Sequence, residues 1–284
     1  MKSAIASDGI ELAAAAWPVT SKTSVTPAGT ILLVHGLGEH VQRYTWLAAQ
    51  LNASGWNVVG YDLRGHGRSG GPRGAIPAAD SMLVDLALMV DRVRRDHPGR
   101  LVLLGHSMGG LIAARFVAEA LQAAPAAWSR PVDALVLSSP ALDAGMSVAQ
   151  KLQLAIGSRM LPNLAVNNGL DPAWISRDAA VVRDYVADPL VHDRITPRLA
   201  RFIVDGGRFV IGQAPRWVTP TLLLWAGADR CVAPSGSAAF MAAAVSNPAV
   251  QGRCFDGLYH EIFNEPQRGE VVAHLAGWLA RRSV

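Results

Sequence analysis

The run Gly105-His106-Ser107-Met108-Gly109 sets a serine between two glycines, directly after the apolar stretch Leu101-Val102-Leu103-Leu104 and before Gly110-Leu111-Ile112-Ala113-Ala114-Arg115, which favours a helix. A strand that turns into a helix over so few residues holds its central residue in a strained backbone, and glycine two positions either side leaves it room. A hydroxyl held there stands clear of its neighbours at a helix N-terminus. The helix dipole and free N–H groups favour the negative charge that develops when a carbonyl is attacked. The chemistry implied is nucleophilic attack by Ser107 on an acyl carbon. The pattern recurs by chance in glycine-rich chains, and this one has 27 glycines, so the flanking strand and helix carry the argument.

An attacking serine needs a base, and the base needs a carboxylate to fix its tautomer and stabilise the imidazolium. Eight histidines compete. His35 and His106 flank the turns of the expected oxyanion loop and nucleophile, His40 and His66 lie in loops, and His97 precedes a proline at a helix end. His192 lies in an inserted segment and His274 in the terminal helix. His260 alone follows the last strand, in Gly257-Leu258-Tyr259-His260-Glu261, the place of the base where the order is serine, acid, histidine. The acid then belongs at a strand end between Ser107 and His260. Asp229, after Leu222-Leu223-Leu224-Trp225-Ala226-Gly227-Ala228, fits best, with Asp143 one strand earlier as its rival. Asp256 and Glu261, so close to His260 in sequence, read as solvated or local hydrogen-bonding groups. Two N–H donors must meet the oxyanion. They are expected from Met108 and, in the turn His35-Gly36-Leu37-Gly38-Glu39-His40, from Leu37, while His35 itself is read as a structural hydrogen-bonding residue.

Short β-like runs recur at Ile31 to Val34, Asn57 to Tyr61, Leu101 to Gly105, Ala134 to Leu137, Thr221 to Trp225 and Gly252 to Phe255. Helix-length segments separate most of them, including Tyr44 to Ser54, Met82 to Asp96 and Gly110 to Ala123. In the second, Leu83, Leu86, Val90 and Val93 recur at helical spacing. Apolar strands alternating with helices predict an α/β fold: a mostly parallel central sheet covered by helices on both faces. Residues 1–28 are expected to add a hairpin at the sheet edge. The interval 141–215 breaks the rhythm and reads as an inserted helical cap, leaving 1–140 and 216–284 as the core. Within it Met146, Val148, Ala149, Leu152, Leu154, Ile156, Met160 and Leu161 are apolar. They either pack on the core or form a lid that faces an acyl chain or a membrane interface.

Half of the 284 residues are hydrophobic, ample for a buried core. The net charge of +4 comes from interspersed basic and acidic residues, so nucleic acid is not an expected partner. Two cysteines, Cys231 and Cys254, are too few for a disulfide framework and read as free thiols. No Cys/His cluster has zinc-ligand spacing, and no metal or organic cofactor is implied. Asp8 and Glu11 interrupt any signal-peptide core and no apolar run reaches transmembrane length, so the expected location is cytoplasmic, with peripheral membrane contact left to the cap.

Taken together, His35-Gly-Leu-Gly-Glu-His40 with Arg43-Tyr44, Tyr61-Asp-Leu-Arg-Gly-His-Gly-Arg-Ser69, Gly105-His-Ser-Met-Gly-Gly110, Ser139-Pro140 and Tyr185-Val-Ala-Asp-Pro-Leu190 resemble the motifs of the α/β-hydrolase fold, and within it of the monoacylglycerol lipase and lysophospholipase group. The likeness spans roughly residues 28–284. It implies Ser107, Asp229 and His260 as triad, Leu37 and Met108 as oxyanion donors, and a polar pocket for a glycerol head to which Glu39, Arg43, His106 and Tyr185 correspond. Two of these also have plain structural readings: Arg43 could pair with Glu39, and Tyr185 could pack the cap on the core. The activity implied is hydrolysis of monoacylglycerol esters through an acyl-enzyme. Lysophospholipase, short-chain carboxylesterase and peptidase activities are the alternatives within enzymes. A catalytically silent ligand-binding hydrolase fold is the alternative outside them, though all three triad members stand here in order. Acyl length and oligomeric state are not legible.

Overall fold

The computed structural model describes residues 3–20 and 27–281. Its strands and helices run in the order β1 (Ala4–Ile5), β2 (Glu11–Leu12), β3 (Ala14–Trp17), β4 (Gly29–Val34), α1 (Thr45–Ala53), β5 (Trp56–Tyr61), α2 (Ser81–Asp96), β6 (Leu101–His106), α3 (Met108–Glu119), β7 (Ala134–Ser138), α4 (Val148–Met160), β8 (Val166–Asn167), α5 (Ala179–Ala187), β9 (Arg194–Ile195), α6 (Pro197–Gln213), β10 (Thr221–Ala226), α7 (Pro234–Ala243), β11 (Val250–Phe255) and α8 (Arg268–Ala280). Seven strands form one sheet in the order β11-β10-β7-β6-β4-β5-β3. All neighbours are parallel except β3, which runs antiparallel to β5 at the edge. This is the α/β-hydrolase arrangement expected from the sequence. The hairpin expected from residues 1–28 is replaced by two pieces. β1 and β2 pair antiparallel as a separate ribbon, and β3 joins the main sheet. Residues 1–2 and 21–26 of that expectation lie outside the described residues.

Alternation along the strands explains why the sheet is covered on both faces. Leu32, Val34, Leu103, Leu135, Leu137 and Leu223 point to one face, where α2, α3, α6 and α7 bury their apolar residues. Ile31, Leu33, Val102, Leu104, Val136 and Leu224 point to the other, against α1 and α8. The parallel strands therefore all end at one edge. There the connections after β4, β6, β10 and β11 converge, the usual place for a site on such a sheet.

Segment 141–215 divides by burial. α6 buries Leu199, Phe202, Ile203, Gly206, Gly207 and Val210, and most of these belong to the cluster formed with α3. α4 buries nothing. It starts at Ser147, whose hydroxyl accepts from the Gln150 N–H while the Gln150 side chain accepts from the Ser147 N–H, a reciprocal cap. Val148, Leu152, Ile156 and Met160 are then left facing solvent at i, i+4 spacing. β8 and β9 pair antiparallel between these helices.

The elbow between β6 and α3 is tightly packed against β4. A Cβ at Gly109 would lie 2.2 Å from the Val34 carbonyl oxygen, and one at Gly105 would lie 2.4 Å from the Gly109 carbonyl oxygen. Only hydrogen fits at either position. Gly109→Ala is therefore expected to force α3 away from β4, at a cost of about 1–3 kcal/mol, seen in a thermal melt as a fall in Tm of about 2–10 °C.

Candidate active site

Ser107 sits between β6 and α3 at φ 54° and ψ −122°. It is one of two non-glycine residues with positive φ among the described residues, the other being Ser139. An L-residue in that region is strained, and the surrounding bonds hold it there. The Ser107 N–H donates to the Ser138 carbonyl at 2.9 Å, and the Ser107 carbonyl accepts from the N–H groups of Leu111 and Ala141. Met108 opens α3, so its N–H is one of the first-turn donors that have no intrahelical acceptor.

His260 meets Asp229. The proton on His260 Nδ1 is donated to Asp229 Oδ2 at 2.7 Å, since a carboxylate can only accept. In the neutral ring this leaves Nε2 unprotonated and able to accept a proton. Asp229 is itself fixed by the N–H groups of Cys231 at 2.8 Å and Val232 at 3.1 Å, both to Oδ1. Asp143 takes no part: it accepts from the Gly145 N–H and the Ser235 hydroxyl. Burial pushes the His260 pKa down, but the Asp229 charge, its hydrogen bond and the charges of Glu261 and Glu39 outweigh it, leaving the pKa above the ordinary value.

Two cavities meet at Ser107. The first, of about 320 Å³, is lined by Glu39, His106, Tyr185, Glu261 and His260 among others. The second, of about 480 Å³, is walled largely by apolar groups such as Met146, Trp174, Ile195, Ile203, Val204 and Val232. Leu37, Ser107, Asn168, Leu170 and Cys231 line both, and Met108 lines the apolar one. His106 Nδ1 lies 3.1 Å from the Ser138 hydroxyl. Burial and the neighbouring His260 push its pKa down to about 4, so it is neutral at neutral pH.

Of the residues expected at a polar pocket, Glu39, His106 and Tyr185 line the first cavity, and Arg43 lies behind it. Arg43 makes both contacts that a plain structural reading allows: it pairs with Glu39 at 2.8 Å, and its guanidinium lies 4.7 Å from the Tyr185 ring centroid. His35 is structural. Its Nδ1–H donates to the Gly36 carbonyl, and its Nε2 accepts from the Leu63 N–H. The Gly65–Ser69 segment is a bonded turn, with the Ser69 hydroxyl tied to Asp62 and Ala13.

One expectation is corrected. Glu261 is neither solvated nor merely local, for it is buried and forms a two-point ion pair with Arg43 at 2.5 and 2.7 Å. Nothing in sequence spacing signals a partner 218 positions away. Cys231 was also missed as a wall residue, although its place two positions after Asp229 signals proximity. Both cysteines are free. Asp229, Cys231 and His260 bring ligand-type atoms within 4.8 Å of one another. Asp229 and His260 are committed to each other there, and burial keeps the Cys231 thiol protonated by raising its pKa.

The raised His260 pKa has a kinetic consequence. In a pH profile of kcat/KM, which reports the free enzyme's base, the acid limb is expected above the ordinary histidine value of 6.5, because the base works only when deprotonated. Asp229→Asn exchanges the acceptor for a donor and favours the wrong tautomer. A loss of about 10⁴-fold in kcat is expected in steady-state assays.

The comparisons with known proteins agree with this geometry. Residues 25–267 match the family model described as serine aminopeptidase, S33. A monoacylglycerol lipase of Mycolicibacterium smegmatis is 34% identical over 257 residues, covering 89% of this chain and 88% of that protein. An abhydrolase domain-containing protein of Dictyostelium discoideum is 31% identical over 91% of this chain, which spans only 27% of that protein's length. Among solved structures, a monoacylglycerol lipase of Paleococcus ferrophilus superposes with a TM-score of 0.81 at 32% identity, covering 95% of this chain and 98% of that one. The chain belongs to the serine aminopeptidase S33 family of α/β-hydrolases and is a serine ester hydrolase.

Proposed function

We propose that this enzyme cleaves monoacylglycerols to glycerol and fatty acid, with Ser107 as nucleophile, His260 as base, Asp229 as its orienting acid, and the N–H groups of Leu37 and Met108 as oxyanion donors. Ser107 Oγ bonds to the ester carbon as His260 Nε2 takes its proton. The C–O bond to glycerol then breaks, and His260 returns the proton to the leaving oxygen. Water repeats the sequence on the acyl-enzyme and frees the acid.

One observation carries the reading: of the two cavities at Ser107, only the first is lined by carboxylates, and only it is lined by His260. The leaving oxygen must sit beside the group that protonates it, so the alcohol belongs in the carboxylate-lined cavity and the acyl chain in the apolar-walled one. A small polyol ester on an apolar chain matches both. The M. smegmatis and P. ferrophilus relatives, named as monoacylglycerol lipases, support the same assignment.

The carboxylate-lined cavity also speaks against a phosphate-bearing head. Glu39, Asp171, Asp188, Asp193 and Glu261 line it, and no lysine or arginine does. A phosphodiester there would face carboxylates with no cation to receive it. Fatty-acid release from a monoacylglycerol series, with lysophosphatidylcholine and a short p-nitrophenyl ester alongside and Ser107→Ala as blank, tests the proposal. Monoacylglycerols are expected to lead the others by at least about tenfold in kcat/KM, a difference of about 1.4 kcal/mol. Turnover of the short ester alone would leave the chemistry standing and remove the substrate.

We further infer that the cap docks reversibly on lipid surfaces through α4. No helix among the described residues is long and apolar enough to cross a membrane. α4 instead exposes Val148 (84%), Leu152 (62%), Ile156 (56%) and Met160 (74%). It carries Lys151 and Arg159 and no acidic residue. An apolar stripe with basic flanks suits the plane of an anionic interface. Flotation with anionic vesicles at low salt is expected to carry the wild type and not Leu152→Glu/Ile156→Glu, which should still hydrolyse a soluble short ester within about twofold, since neither residue touches the cavities. Equal behaviour of both proteins would remove the docking inference.

A further inference from the structure

The triad and the oxyanion loop sit on separate connections of the sheet, and one buried ion cluster ties them together. Glu39 closes the oxyanion turn. Its Oε1 accepts from the Gly36 N–H at 2.6 Å and from the Tyr44 hydroxyl at 2.6 Å, and its Oε2 accepts from Arg43 Nη1 at 2.8 Å. The same Nη1 donates to Glu261 Oε1, and Nη2 donates to Glu261 Oε2. Glu261 follows His260 directly in the chain. It is held further by the Asn264 side chain at 2.9 Å and by its own N–H, which donates to the Ile175 carbonyl of the cap at 2.8 Å. The cap also supplies the Tyr185 ring, which packs against the Arg43 guanidinium. Glu39 and Glu261 have buried side chains, and that of Arg43 is only 11% exposed.

We propose that Arg43 and Glu261 are positioning residues for catalysis: the Glu39–Arg43–Glu261 bridge holds the Leu37 donor and the His260 base in one fixed relation across the ester. The inference rests on the reading of Ser107 and His260 as nucleophile and base. Glu39 and Arg43 alone would be a local i, i+4 pair within one turn. The two-point contact to Glu261 is long-range, and its far end adjoins the base. Arginine alone among the side chains presents a planar fork that can engage two carboxylates at once, and lysine cannot reproduce it. Charge counting gives the cluster a second role. Two carboxylates share one guanidinium, so a net negative charge remains in a site shielded from water, where it stabilises the imidazolium formed as His260 takes the serine proton. The groups facing His260 are Asp229, Glu261, Glu39 and the neutral His106, and none of the other three carries a positive charge.

The test uses the full-length enzyme with a soluble short ester and three variants, Glu261→Gln, Arg43→Met and the two combined, each checked by thermal melt. Glu261→Gln is expected to lower kcat by about 10–100-fold, the usual penalty for a catalytic group displaced by about an ångström, with KM within about threefold. It should also move the acid limb of the kcat/KM profile to lower pH, because one of the charges that raise the His260 pKa is gone. Arg43→Met strands two buried carboxylates and should be worse. Adding Glu261→Gln removes one of those charges and should recover part of the loss, a non-additivity expected only of residues that act through one contact. Ser107-dependent turnover by wild type with an unmoved acid limb in Glu261→Gln, or with single losses that simply add, would overturn the positioning role and leave the active-site reading intact. Absence of Ser107-dependent turnover in wild type would instead overturn the reading on which it rests.

Discussion

The approach of α3 to β4 is the constraint on which the site depends. Parallel strands bring several loops to one edge of the sheet, but they do not by themselves put a hydroxyl, an imidazole and two N–H donors within one ester's reach. Here the start of α3 comes so near β4 that carbonyl oxygens of Val34 and Gly109 occupy the space of any side chain at positions 109 and 105. That closeness accompanies a positive φ at Ser107 and sets the turn after β4 against it, where a Cβ at Gly36 would lie 3.1 Å from the Ser107 Cβ. Strain of order 1–3 kcal/mol at one residue is affordable only where the surrounding core over-determines it. Ser107 has that support from Leu32, Val34, Leu103, Leu111 and Leu137, all buried beneath the elbow.

Buried charge is the second constraint, and its geometry decides whether it helps or harms. An unpaired ion in this environment would neutralise by shifting its pKa, whereas a paired and fully bonded one can persist. Burial pushes the Glu39 pKa up, yet Arg43, the neighbouring histidines and the Tyr44 hydroxyl together bring it down to about 2, so it remains a carboxylate at neutral pH. The same field acts on the two histidines of the site in opposite directions. His260 has a direct carboxylate partner and is raised, while His106 has a hydroxyl neighbour and is lowered. Two imidazoles with ring centroids 4.7 Å apart thus differ in proton affinity: the Asp229 carboxylate outweighs burial at His260, whereas burial and the neighbouring His260 prevail at His106.

Most of the core was legible because strand and helix signals here are local. Every β-run expected from the sequence lies on a strand of the sheet, with ends moved by a residue or two, as at Val250–Phe255 where only Gly252 to Phe255 was expected. The meeting of Asp229 and His260 was legible for a related reason: each follows a core strand directly, so topology alone carries both to the same edge of the sheet. The failures are all tertiary. Glu261 looked local because its neighbours in sequence are polar and close, and its partner Arg43 lies at the other end of the chain. The interval from 141 to 215 looked uniform, yet α6 buries Leu199, Phe202, Ile203, Gly206, Gly207 and Val210 while α4 stays outside. Gly207 lets α6 come close to the segment after β7, since a Cβ there would lie 2.2 Å from the Leu142 carbonyl oxygen, while at Gly206 a Cβ would lie 3.4 Å from the Leu111 side chain of α3. Composition could not separate the two helices, because both are rich in apolar residues. What separates them is the face each turns to the core: α6 buries one and α4 buries none.

The exposed apolar face of α4 and the apolar cavity belong to one physical problem. A long-chain ester is held by its lipid surroundings with about 0.8 kcal/mol for every buried methylene, so leaving a bilayer through water would add a barrier that grows with chain length. The route is easier if the apolar cavity opens where the lipid is. Met146 lines that cavity immediately before α4, and Gln150 lines it from the helix's first turn. Docking of α4 at an interface would thus bring the apolar-walled cavity to the membrane, while the carboxylate-lined cavity, which no residue of α4 lines, receives the polar end. An ester could then pass acyl chain first from lipid to Ser107 without its methylenes crossing bulk water. In this arrangement the solvent-facing residues of α4 and the confinement of the carboxylates to one of the two cavities follow from the same requirement: each end of the substrate must always have a matching environment.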